Sequence, residues 1–108
     1  VTTNEVQQSD VARWLRPILP TYASSFAGGS VVNYHELLRE DRLAMYSTGE
    51  KSAIALAAQL EDRIGVVREI LGYQHSVLGL LASLSYLSRE QRRGWLALLI
   101  VRAEELAG

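Results

Sequence analysis

Apolar positions recur every third or fourth residue along most of this chain, and no useful stretch alternates every second residue as a half-buried strand does. The cleanest run is Ala53, Leu56, Leu60, Ile64, Val67 and Leu71, which step by 3, 4, 4, 3 and 4. That spacing predicts one helix over 49–71 laid against other helices, with Lys51, Gln59, Asp62 and Glu69 on the wet side and Glu61 and Gly65 near it. A glycine costs a helix interior about 1 kcal/mol against alanine, so Gly65 suggests a close approach. Ser47-Thr48-Gly49-Glu50 has the form of a capping box and starts this helix.

The same period predicts three more helices. One covers 31–46, with Tyr34, Leu37, Leu38, Ala44 and Met45 on one side. Asp41 falls near that side and is expected to form a structural ion pair with Arg42, Arg63 or Arg68. A helix over 74–87 carries Val77, Leu80, Leu81, Leu84 and Leu87 on one face and the small residues Ser76, Gly79 and Ser83 on another. A second capping box, Ser88 with Gln91, opens a last helix that runs to about Leu106.

Before these lies a shorter helix over 10–19, capped by Ser9, with Trp14, Leu15 and Ile18 on its apolar side. Pro17 weakens it and Pro20 stops it. Residues 21–30 form a loop of small residues in which Tyr22 and Phe26 are expected to pin the chain to the core or meet a partner. The fold expectation is all-α: a single-domain helical bundle, 1–108, of four longer helices plus a short N-terminal one, with 1–8 a candidate disordered segment.

The last helix departs from the one-stripe pattern. Leu96, Leu99, Ala103 and Leu106 make one seam, while Trp95, Leu98, Ile100 and Val101 spread around the rest of the cylinder. A helix apolar nearly all round is a buried helix. Either it sits at the centre of the bundle or it is shared with a second copy. A chain of 108 residues has few helices with which to enclose one, so a homodimer through Trp95, Leu98, Leu99 and Ile100 is the favoured expectation.

Composition narrows the picture. The seven-residue apolar run 95–101 rises about 10 Å as helix, against the roughly 20 residues a bilayer span needs, so no membrane association is expected. The N-terminal ten residues lack the layout of a signal peptide. A net charge of −1 argues against a protein devoted to neutralising phosphate. With no cysteine there is no disulfide, thiolate metal site or thiol nucleophile. That fits a reducing compartment, and a cytoplasmic location is expected.

Few residues suggest chemistry. His35 lies on a helix face without a second ligand at helical spacing, and His75 stands alone as a boundary residue, so no metal and no cofactor are expected. No serine sits in a G-x-S-x-G elbow. Gly49-Glu50-Lys51-Ser52 imitates only the tail of a phosphate loop, and no catalytic residue is assigned. Arg89, Arg92 and Arg93 crowd the start of the last helix, the unfavourable end of its dipole for a cation. They suggest an acidic partner or a phosphate backbone. Helices two and three around the Ser47–Gly49 turn also have the outline of a helix-turn-helix, with Lys51, Ser52 and Gln59 as polar candidates.

The functional expectation is a non-enzymatic protein-interaction module, a small regulator or adaptor that docks onto another protein and self-associates. A dimeric DNA-binding transcriptional regulator is the second expectation.

Overall fold

The chain is described by a computed structural model covering residues 10–20 and 32–108. Every regular element among them is helical. They are α1 (10–15), α2 (Tyr34–Leu37), α3 (Glu40–Leu43), α4 (Thr48–Leu60), α5 (Ile64–Leu71), a 3-10 turn (Ser76–Leu78), α6 (Leu80–Ser85) and α7 (Arg89–Ala107). The all-α expectation holds. Residues 1–8, Ser9 and the 21–30 loop with Tyr22 and Phe26 lie outside the described residues.

The hub of the fold is α4. Residues 52–58 are buried on every side of its cylinder. Helices α5, α6 and α7 and the 3-10 turn all pack on it. Its composition makes this possible: Ala53, Ala55, Ala57 and Ala58 let neighbouring backbones close in, while Ile54 and Leu56 fill the gaps. Ser52 is buried too, and its hydroxyl donates back to the Thr48 carbonyl at 2.9 Å. The capping box closes as expected: Glu50 N–H donates to Ser47 Oγ at 3.1 Å, and Ser47 N–H to Glu50 Oε1 at 2.9 Å. The central helix is therefore α4, not the last one. In the helix-turn-helix outline around residues 47–49, Thr48 at the start of α4 is exposed and Lys51 and Gln59 are half-buried, while Ser52 is buried.

Three expected helices are broken. The 31–46 segment splits because Arg39 is extended (φ −56, ψ 147) between α2 and α3. Tyr34, Leu37 and Leu38 are buried as expected, but Met45, beyond the break, is exposed. Asp41 is exposed as well. It pairs with its near neighbour Arg39 through two hydrogen bonds of 3.2 and 3.1 Å rather than with an arginine across a helix interface.

The 49–71 helix breaks at Asp62, which takes the left-handed conformation (φ 58) between α4 and α5. Aspartate is among the few non-glycine residues that tolerate it. Gly65, expected at a close approach, has no atom within 4 Å of where a Cβ would stand.

The 74–87 segment is irregular until Leu80. Gly72 has φ 92, and His75 accepts the Val77 N–H on Nδ1 at 3.3 Å, acting as the boundary residue the sequence suggested. With helix starting so late, Leu80 and Leu81 turn outward, and Leu81 is 81% exposed. Val77 and Leu87 stay in the core, and Ser83, also buried, donates its hydroxyl to the Val77 carbonyl.

Candidate functional site: the outer face of the last helix

Helix α7 begins at a closed capping box, with Gln91 N–H donating to Ser88 Oγ at 3.2 Å and Ser88 N–H to Gln91 Oε1 at 2.9 Å. Two tryptophans then set its orientation. Trp95 is 1% exposed, and its indole N–H donates to the Leu56 carbonyl of α4 at 2.9 Å. Trp14 of α1 donates to the Gln91 carbonyl at 3.0 Å and lies over Gly94, where an added Cβ would stand 2.9 Å from the ring. Sequence reasoning passed over Gly94. A glycine inside an otherwise apolar helix, with a tryptophan elsewhere in the chain, was the available signal.

Trp95 was expected on a self-association surface. It is instead the core anchor of α7, and Leu98 is half-buried beside it. The opposite side of the helix is open: Leu96 is 43% exposed, Ile100 58% and Val101 43%. Leu99 and Leu106 fall on the Trp95 side at helical spacing and, though exposed, border a groove with Gln59 and Leu60 of α4. The apolar character that runs around α7 thus divides in two. One side is spent on α4 and α1, and the other faces outward with no cover among the described residues.

The arginine cluster divides as well. Arg92 is half-buried and turns back: its guanidinium donates to the Leu87 carbonyl at 2.9 Å and reaches the Leu84 carbonyl at 3.5 Å. A cation at the carbonyl end of α6 is well placed, which accounts for a positive charge at the wrong end of α7. Arg89 and Arg93 are exposed and belong to the outer face. At the far end of α7, Arg102 and Glu105 form an ion pair at 3.7 Å, while Glu104 is exposed.

No family model, no curated protein and no solved structure matches this chain.

The chemical inventory elsewhere is short. No group of three potential metal ligands occurs among the described residues, and none of their helices is long and apolar enough to cross a membrane. His35 is exposed, as expected. Most described serine hydroxyls are engaged by backbone: Ser47 and Ser88 as caps, Ser52, Ser83 and Ser85 as donors to carbonyls.

One buried polar pair was not anticipated. Tyr34 of α2 donates its hydroxyl to Glu61 Oε1 at 2.5 Å, just past the end of α4. Burial, with the Glu61 charge and hydrogen bond adding to it, pushes the Tyr34 phenol well above its usual range. Burial also raises the Glu61 carboxyl above 4.5, against the opposing pull of Tyr34, the Val32 N–H and Arg63. The pair fastens α2 to the hub.

Proposed function

We propose that this chain is a protein-interaction module without enzymatic activity, a small regulator or adaptor that docks through the outer face of α7. The observation that carries this reading is the set Leu96, Ile100 and Val101, each more than a third exposed on the side of α7 turned away from Trp95. Full burial of a large apolar side chain contributes roughly 1.5–3 kcal/mol. Several left in water along a single rigid helix make a surface that gains by being covered. That helix is held from behind by Trp95 and Trp14, so the surface is presented rather than free to collapse inward. Self-association and a cytoplasmic setting belong to the same proposal; the absence of cysteine is compatible with the latter.

A dimeric DNA-binding regulator gains no supporting observation. The helix that would read a groove is buried over residues 52–58, and Lys51 and Gln59 beside it are half-buried.

Site-specific photo-crosslinking in the host cell tests the docking reading. A photoreactive residue replacing Ile100 is expected to give a discrete protein adduct. The same residue replacing Glu69, exposed on α5, is expected to give none. No adduct at 100, or equal labelling at both positions, would defeat the proposal.

A further inference from the structure

We infer that the occupant of the α7 face is a second copy of this chain, lying antiparallel, with Arg93 of each copy paired to Glu104 of the other. This rests on the docking reading above and names its partner. Along the outer face, Arg89, Arg93, Leu96, Ile100, Ala103 and Ala107 recur at steps of 4, 3, 4, 3 and 4, the spacing of a helix–helix seam. All six are exposed. The strip is therefore basic at its start, apolar in its middle and small at its end, where exposed Glu104 flanks it. Read backwards, such a strip is its own complement.

The register follows from the helix itself. Turning one copy end over end about a twofold axis level with residues 98 and 99 brings Leu96 of each copy against Ile100 of the other. Arg93 then comes opposite the partner copy's Glu104. In an antiparallel pair, residues displaced to the same side of the seam meet, and Arg93 and Glu104 are displaced to the same side. A parallel pairing would instead stack Arg89 and Arg93 on their own copies, which like charge opposes. Neither Arg93 nor Glu104 takes part in an ion pair within the chain among the described residues. At 19 residues the helix is about 28 Å long, and one such strip buries less than the roughly 800 Å² per partner of a standard interface. The dimer is accordingly concentration-dependent.

The absence of native cysteines makes the test clean. Two single variants, Arg93→Cys and Glu104→Cys, are oxidised separately and as a mixture. The mixture is expected to give a disulfide-linked dimer, because a mixed pair keeps one Arg93–Glu104 contact and places the two thiols together. Each variant alone is expected to remain uncoupled, its thiols being about 16 Å apart along the axis. In sedimentation, Arg93→Glu and Glu104→Arg are each expected to weaken the wild-type dimer at least several-fold, and the double exchange to restore it. Coupling of each variant with itself would overturn the antiparallel register. A wild-type chain that stays monomeric at high concentration, while the photo-adduct at 100 contains a different protein, would overturn the second copy and leave the docking reading standing.

Discussion

The indole N–H of Trp95 reaches the carbonyl oxygen of Leu56 at 2.9 Å and so joins the last helix to the middle of the hub. Both residues are buried, and the carbonyl already belongs to the α4 ladder. Trp95→Ala is expected to cost about 3–5 kcal/mol, the usual loss for an aromatic removed from a core. Trp95→Phe keeps part of the volume and loses the hydrogen bond, and is expected to cost less. Urea unfolding measures both. Equal losses for the two would mean that the hydrogen bond, not the packing, holds α7 in place.

Gly94 and Trp14 form the second attachment. An alanine at 94 would bring its Cβ to 2.9 Å from the Trp14 ring, so the helix-propensity gain of about 1 kcal/mol is expected to be outweighed by displacement of α1. Gly94→Ala should therefore destabilise the wild type yet be neutral or stabilising in a Trp14→Ala background. A double-mutant cycle gives the coupling directly. Additive effects would show that the ring does not need the bare backbone.

Arg92 and Arg93 adjoin in sequence and differ in role. Arg92→Ala removes the guanidinium from the Leu87 carbonyl and is expected to lower stability by about 1 kcal/mol, since the group is only half-buried. Arg93→Ala is expected to leave monomer stability within about 0.5 kcal/mol of wild type while weakening self-association. Thermal unfolding at low concentration, set beside sedimentation, separates the two effects.

Glu61 supplies the pH dependence. Its carboxyl is raised above 4.5 in the folded chain, so the folded state holds the proton more tightly than the unfolded state does. Stability from this group is then fully present below the unfolded value and is lost as pH rises through the folded one. Glu61→Gln keeps an acceptor for Tyr34 and removes the buried charge. It is expected to stabilise the chain at neutral pH, and the gain should shrink as the pH falls toward and below 4.5. A gain that does not change with pH would contradict this.

Both capping boxes were legible in the sequence, because each is a local device of four adjacent residues. So was the helical class. The breaks were not. Arg39 and Asp62 are neither glycine nor proline, and after Asp62 the chain re-enters helix with Ile64 and Val67 still directed at the core, so the apolar seam crosses the break without interruption. The hub was not legible for a related reason. Apolar bulk around the cylinder drew attention to the leucine-rich last helix as either central or shared, whereas all-round burial in so small a fold needs the alanines of α4, around which four elements can close. The exposed face of α7 follows from the same physics: once α4 holds the centre, only one side of α7 can reach it. Leu99 and Ile100 were recognised as surface candidates. The inward turn of Trp95 and Arg92 depends on tertiary partners, Leu56 and Leu87, that no local pattern reveals.

Sedimentation of the wild-type chain and of Ile100→Glu over a wide concentration range tests the central claim most directly. The wild type is expected to shift from the mass of one chain to that of two as concentration rises, and Ile100→Glu to remain at one with its helical content and unfolding midpoint unchanged. A wild type and a variant that sediment alike at every concentration, with no protein adduct at position 100, would contradict the claim that the outer face of α7 is made to be covered.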